Sequence, residues 1–406
     1  MPFLSKKFIA GIQFAMQLTK PKICVVSATP LTLHFFFTEH LRQMSKWADV
    51  TIVYNKEYNE EVQPIDAPVA QHHVMIKRRI ALVYDFLGLL TLIRFFQRRQ
   101  FDMVITLVPK AGLLAMIAAF LVKTPVRLVI FQGEIWSSRK GLSRRLLKMA
   151  DGLTARLSTE TLAVSHSERE YLIKEGVVRF TKINVLGAGS IAGVNTSRFK
   201  PNKVVRVGMR DQLGIPQAAT VLLFLGRITR DKGVFELLSV FSKLTEAKSD
   251  VFLLLVGPDE GGITEQLKSM VSLVHRDKLK VVGFTREPET FMATADILCL
   301  PSYREGFGMV ALEAAACEVP SVGTDIHGLQ DAVIHKETGF LVPLGSEDAL
   351  LNALTVLINS PDLRQTYGKH GRSRVEKDFK AKTVIDVYVK YFQTILRNKL
   401  NSLIAK

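Results

Sequence analysis

The chain has 406 residues, more than one hydrophobic core organises well, so two domains of about 150 to 200 residues each are expected. Hydrophobic residues make up 48% and charged residues 23%, without low-complexity tracts or repeats, which excludes a disordered or solenoid protein. The net charge of +16 is uneven: residues 1–200 carry +14, residues 201–350 carry −5 and residues 351–406 carry +7, so one part of the molecule is expected to face an anionic surface.

Ser5-Lys6-Lys7-Phe8-Ile9 opens a basic, apolar segment that runs to Leu18. It has the outline of a signal peptide, but Gln13 and Gln17 interrupt the apolar run and no small-residue cleavage site follows. The pattern then predicts a strand over Ile23–Ser27, one helix over Thr32–Ser45 and a strand over Val50–Tyr54. Lys77, Arg78 and Arg79 precede an apolar helix over residues 80–93, and Arg94, Arg98 and Arg99 follow it. Basic residues also accompany apolar ones between Arg139 and Lys148. Such helices suit an anionic lipid leaflet; a core helix with solvated ends is the competing reading for residues 80–93. No helix-turn-helix, zinc-finger or ribonucleoprotein pattern accompanies the charge, so no nucleic-acid partner is expected. Nor does any segment reach the roughly 20 apolar residues of a bilayer span.

Further strands are predicted over Met103–Val108, Val126–Phe131, Leu162–Ser165 and Ile183–Leu186, with a helix over Lys110–Leu121, an alternation that reads as doubly wound α/β. From Gly187 to Pro201 the chain is glycine-rich and aperiodic, as at an interdomain crossing. The spacing of Gly187, Gly189 and Gly193 is not that of a dinucleotide fingerprint, which disfavours an oxidoreductase. A second alternation follows, with strands over Val221–Leu225, Val251–Val256, Lys280–Val282, Asp296–Leu300, Ser321–Val322 and Gly339–Val342, and a long amphipathic helix over Ala381–Ala405. Cys24, Cys299 and Cys317 are odd in number and lie in apolar contexts, so buried thiols in a reducing cytosol are expected. His34, His72 and His73 lack metal-ligand spacing.

Two segments of the second half carry chemistry. In Val221-Leu-Leu-Phe-Leu-Gly226-Arg227-Ile-Thr-Arg-Asp-Lys232-Gly233, a buried strand delivers two cations to its carboxyl end, where parallel sheets bind ligands. In Glu305-Gly-Phe-Gly-Met-Val-Ala-Leu-Glu313, two carboxylates flank a glycine turn that runs into a helix over Met309–Ala316, with Glu313 about two turns in. Amides at that helix start suit a diphosphate. No Asp-x-Asp occurs anywhere in the chain.

The G-R-x4-K-G and E-x7-E patterns, in this order, resemble those of family-four glycosyltransferases, and the resemblance covers nearly the whole chain. More loosely, Phe131–Gly141, Pro109–Gly112 and Gly187–Asn195 resemble the subgroup that builds capsule, O-antigen and other surface polysaccharide. The resemblance implies the GT-B fold: two Rossmann-like domains, here 1–195 on the acceptor side and 203–379 on the donor side, facing across a cleft, with 380–406 packing back onto the first. It also implies transfer of a hexose with retention, from a nucleotide sugar taken as UDP-linked, to a lipid-linked glycan at the cytoplasmic face of the membrane.

The catalytic set so implied is Glu305, Lys232 and Arg227, the cations neutralising the leaving diphosphate without a metal or other cofactor. Donor contacts fall to Gly226, Arg227, Lys232, Thr285, Phe307, Gly308, Met309, Val310 and Glu313, the last on the ribose. Glu305 is a nucleophile or an electrostatic stabiliser; the second is preferred. The chain departs from the family where Gln132-Gly133 replaces a common His-Gly and where Ser27-Ala-Thr-Pro30 replaces a glycine pair. Gln132 and Glu134 are candidates for sugar or acceptor contacts, or for structural roles. Two other readings stand beside this one: a soluble GT-B enzyme such as a nucleotide-sugar epimerase, and a non-catalytic membrane scaffold.

Overall fold

The computed structural model describes residues 20–55, 65–77, 81–107, 109–247 and 250–404. The basic N-terminal segment through Leu18 lies outside the described residues, as do Arg78, Arg79, Ile80, Val108 and Ala405. The first domain is a parallel sheet of β1 (Lys22–Val26), β2 (Asp49–Tyr54), β3 (Ala70–His73), β4 (Met103–Thr106), β5 (Val126–Phe131), β6 (Glu160–Ala163) and β7 (Ile183–Asn184). Its order is β3-β2-β1-β4-β5-β6-β7. The second contains β8 (Thr220–Leu225), β9 (Val251–Val256), β10 (Leu279–Val282), β11 (Ile297–Leu300), β12 (Ser321–Thr324) and β13 (Gly339–Val342), in the order β10-β9-β8-β11-β12-β13. Strands such as β9 are buried at every position, because helices cover both faces, which is why they read as continuous apolar runs.

In each sheet the strand order reverses once, between β1 and β4 and between β8 and β11. β8 and β11 are adjacent strands at this reversal, paired at Ile297 with Leu222, and parallel sheets bind ligands at the carboxyl ends of such strands.

Two predicted elements differ. Thr32–Ser45 is two helices, Pro30–Phe36 and Thr38–Met44, broken at Phe37 (φ −129°, ψ −5°). The Thr38 hydroxyl donates to the Leu33 and His34 carbonyls at 3.1 and 3.0 Å, terminating the first helix, while the break drives Phe37 into the core beside Phe392. β3 was not anticipated, since Ala70-Gln-His-His73 has no apolar alternation; it is an edge strand held by its pairing with β2 and by His72 stacked on Phe95 at 3.8 Å.

The segment between the domains crosses beside the chain's return. Val194 N–H donates to the Phe379 carbonyl at 2.7 Å and Ala381 N–H to the Val194 carbonyl at 2.9 Å. The helix Ala381–Ile404 then lies on the first domain, burying Val384, Tyr388, Phe392 and Leu396 at four-residue spacing. The Tyr388 hydroxyl donates to the Ser190 carbonyl at 3.1 Å, and Tyr391 Oη meets Glu160 Oε2 at the same distance. The helix Pro361–Asp378 packs instead on Met309–Ala316 in the second domain. Cys24, Cys299 and Cys317 are buried free thiols.

Among the described residues no helix is long and apolar enough to cross a membrane. In the helix Leu82–Arg99, Leu82, Val83, Phe86 and Leu87 in the first turns are exposed, while Leu92 and Phe96 are core. On Gly141–Leu157, Leu142, Leu146, Met149 and Leu153 form one exposed apolar stripe.

If the C-terminal helix is integral to the first domain, Phe392→Ala costs about 3–5 kcal/mol. Urea unfolding of the full chain checks this, and a loss below about 1 kcal/mol, the scale of an average substitution, contradicts it.

Candidate active site

Lys232 and Glu305 meet at the β8–β11 switch point. After β8 the chain turns through Gly226-Arg227 into a single 3-10 turn, Arg230–Lys232, ending at Gly233 (φ +70°). A Cβ on Gly233 would lie 1.9 Å from the Pro301 carbonyl oxygen, so only glycine lets this turn press against the end of β11. The Tyr303 N–H donates to the Asp231 carbonyl at 2.9 Å, joining the two loops. Lys232 Nζ is thereby 2.6 Å from Glu305 Oε1, which also accepts the Ser302 hydroxyl at 2.8 Å. Both charged side chains are mostly buried, 18% and 15% exposed. Arg227 stands at the rim, its Nη1 2.8 Å from Glu260 Oε2.

Gly308 (φ +79°) starts the helix Met309–Ala316, so Glu313 sits little more than one turn in, not two. A Cβ on Gly308 would meet Leu329 Cδ2 at 2.5 Å. Phe307 turns its ring into the core against Phe379, and Met309 Sδ accepts the Ser190 hydroxyl at 3.0 Å. Their backbone, not their side chains, faces the loop. Burial pushes the Glu313 carboxyl up to about 7, opposed by nearby Arg198 and reinforced by Glu289, which pairs with Arg198 at 2.7 Å. Thr285 is past the end of β10, two strands from β8, where its hydroxyl accepts the Glu287 N–H at 3.0 Å. The structure thus joins Lys232 directly to Glu305, with Gly308, Met309 and Val310 following in the chain at the helix start, while the charged neighbours of Glu313 are Arg198 and Glu289. Arg227 and Thr285 lie further out. Among the described residues no three His, Cys, Asp or Glu side chains are placed to hold a metal ion.

The first domain closes onto this loop. Gly133 (φ +89°) presses on Gly306, where a Cβ would lie 2.5 Å from the Gln132 carbonyl oxygen. A Cβ on Gly328 (φ +88°) would lie 2.7 Å from the Glu305 carbonyl oxygen. Gln132 Nε2 donates to the Leu107 carbonyl at 2.8 Å, which fixes the turn after β5. Glu134 is 1% exposed and faces His327 of the second domain, Oε2 to Nε2 being 3.3 Å.

A second contact binds the domains from the other direction. Asp331 accepts the N–H groups of His166 and Ser167, each at 3.0 Å, and the Ser167 hydroxyl. It supplies a carboxylate to the N-terminus of the first-domain helix His166–Lys174, where the dipole favours negative charge. No motif announces Asp331 or His327. Glu168 had a partial signal, since Ser165-x-x-Glu168 is a capping-box pattern, and Ser165 Oγ accepts the Glu168 N–H at 3.0 Å. The Glu168 carboxylate does not reach back to Ser165; it accepts the Val164 and Gly133 N–H groups instead.

Residues 207–374 match the family model for glycosyl transferases group 1, and residues 38–189 match that for a glycosyl transferase 4-like domain. The capsular polysaccharide biosynthesis glycosyltransferase CapM of Staphylococcus aureus is 31% identical, covering 88% of this chain and 93% of CapM. An Escherichia coli UDP-Gal:alpha-D-GlcNAc-diphosphoundecaprenol alpha-1,3-galactosyltransferase is 24% identical over 79% of this chain and 83% of its own. Among solved structures, Anabaena HepE in complex with UDP-glucose superposes with a TM-score of 0.73 at 19% identity, covering 92% of this chain and 99% of HepE. WaaG, a glycosyltransferase involved in lipopolysaccharide biosynthesis, gives 0.67 at 16% identity over 90% and 99%. At these identities the structural likeness shows the fold.

The glycine contact is directly testable. Gly306→Ala is expected to force the cleft open and raise the radius of gyration in small-angle scattering, whereas Gly208→Ala, where a Cβ meets nothing within 4 Å, is expected to leave it unchanged. Identical scattering from both variants contradicts the contact.

Proposed function

This chain belongs to the family-four glycosyltransferases of the GT-B fold and is a glycosyltransferase of polysaccharide biosynthesis, and from that premise we propose that it moves a sugar, with retention and without a metal, from a UDP-sugar to a lipid-linked glycan at the inner face of the cell membrane. The observation that carries the site assignment is the Lys232–Glu305 pair, 2.6 Å apart at the switch point of the second sheet. The UDP and the lipid-linked acceptor are supported by what the HepE structure holds and by what the Escherichia coli relative is named for.

In this reading the donor diphosphate takes Lys232 from Glu305 and Arg227 from Glu260. Two preformed cations then meet the charge that grows as the C1–O bond to the β-phosphate breaks. Amides of Phe307, Gly308, Met309 and Val310 at the helix start add to that field, and Gly226 lets the β8 turn approach the phosphates. Glu305, held by Ser302, is left facing the oxocarbenium-like centre as a stabilising carboxylate. The acceptor hydroxyl attacks C1 from the side the diphosphate leaves, and its proton passes to the departing phosphate oxygen. Glu313 takes the ribose hydroxyls, and Thr285 lines the base. Gln132 and Glu134 act structurally, given the bond from Gln132 to Leu107 and the burial of Glu134.

The membrane partner is supported by the exposed Leu142, Leu146, Met149 and Leu153, interleaved with Arg145 and flanked by Arg139 and Lys140, and by the exposed start of Leu82–Arg99. Apolar insertion and basic charge together favour an anionic leaflet; about 1 kcal/mol accrues per cation near the surface, weakened by salt.

A panel of UDP-, GDP- and ADP-sugars, read by mass analysis of lipid-extracted products, tests the function. A UDP-sugar is expected to be consumed, with most activity retained in excess EDTA. Lys232→Ala is expected to lower kcat by roughly 10²-fold or more. Near-normal turnover in that variant, or an absolute need for a divalent cation, contradicts the assignment.

In flotation with anionic vesicles, serine at Leu142, Leu146 and Met149 is expected to reduce binding, as is raised salt. Equal partitioning of wild type onto neutral vesicles contradicts the leaflet reading.

A further inference from the structure

Next to the glycine contact lies a cluster of buried acids. Glu134 is 1% exposed, and among the described residues no lysine or arginine pairs with its carboxyl group. Three elements face it. The helix His166–Lys174 brings Glu168, fully buried, and Tyr171. Gly141–Leu157 brings Asp151, whose Oδ2 accepts the Trp136 indole N–H at 2.7 Å. The donor domain brings His327, with Nε2 at 3.3 Å from Glu134 Oε2, and more remotely Arg304, whose Nη2 is 3.7 Å from Asp231 Oδ2. His327 stacks on Tyr171 with centroids 4.1 Å apart, and Tyr171 stacks on Trp136 at 5.4 Å, so an aromatic column crosses the domain boundary beside the acids.

Two buried carboxyl groups that act on one another, with no paired cation, do not both ionise. Each Glu168 oxygen already accepts a backbone N–H, one of them from Gly133, so a proton on Glu168 has Glu134 as its acceptor. Burial, then the Glu134 charge, holds the Glu168 carboxyl well above the usual range; burial pushes Glu134 up to about 7 and Asp151 up to about 6. Burial lowers the His327 imidazole, which disfavours its charged form.

We propose that Glu134, Glu168 and His327 are positioning residues for transfer: one proton shared by the two glutamates holds the Gln132–Gly133 turn against Gly306, and thus sets the backbone that carries Glu305. The inference rests on the transfer reading only for its kinetic readout. Loss of the shared proton leaves two carboxylates repelling each other directly under the Gly133–Gly306 contact. Both pKa values are raised by folding: Glu134 gives up its proton first, near 7, which leaves the single shared proton, and the contact is lost only as pH rises further, through the raised range of Glu168.

The test uses the full chain as wild type, Glu134→Gln and Glu134→Ala. Glu134→Ala is expected to lose roughly tenfold in kcat at neutral pH with a smaller change in donor KM, the pattern of misplaced groups. Glu134→Gln, which keeps a hydrogen-bonding group but cannot become charged, restores most of that loss and moves the alkaline limb of the pH profile upward by at least about one unit. Scattering provides a readout independent of any donor: the wild-type radius of gyration is expected to rise as pH is taken from 7 upward into the range where Glu168 ionises, and that of Glu134→Gln to stay constant. Superimposable pH profiles and scattering for wild type and Glu134→Gln overturn the proposal, even if Glu134→Ala fails to fold.

Discussion

Gly233 approaches the Pro301 carbonyl so closely that any side chain would collide with it, and the donor-side geometry follows from that approach. The turn after β8 is pressed onto the end of β11, so a lysine from one strand and a glutamate from its neighbour share a partly dry space. Removing one partner of such a pair strands the other charge, at a cost on the order of 3 kcal/mol when fully buried and less here. A stable fold has no need of this arrangement, since apolar residues would pack as well. In the proposed transfer its value lies in exchange: an arriving diphosphate would replace the carboxylate as the partner of Lys232.

Close backbone approach recurs across the cleft, and it makes the two domains one packed unit. Gly133, Gly306 and Gly328 bring the β5, β11 and β12 loops together, with Asp331 fastening the helix His166–Lys174 from the donor side. The apolar core is continuous through Ile191, Val194, Phe307 and Phe379 at the crossings. The chain crosses twice in one place, its two crossings hydrogen-bonded through Val194 and Ala381, a further tie between the domains. The exposed apolar stripe of Gly141–Leu157 lies on the same first domain, and its opposite face packs Arg144 and Lys148 over Trp136.

The fold was legible where burial imposes a simple pattern. The apolar runs of β8, β9 and β11 could only be strands covered on both faces, and Met309–Ala316 has the bounds its composition indicates. Lys232 and Glu305 were legible as a site because glycines and charges follow those strands. What stayed hidden depends on distant partners. β3 is polar and exists through its pairing with β2, and the break at Phe37 depends on where the C-terminal helix lies, some 350 residues later. Asp331, His327 and the burial of Glu134 arise only when the domains meet, so no local spacing encodes them.

A crystal structure with bound UDP tests the central claim most directly, because it asks where the diphosphate goes and not merely whether turnover changes. The account predicts the diphosphate between Lys232 and Arg227, with Lys232 drawn away from Glu305 and the phosphates against the amides that start Met309–Ala316. A nucleotide bound elsewhere, or one bound in the cleft with the Lys232–Glu305 pair intact and no phosphate near either cation, would contradict it.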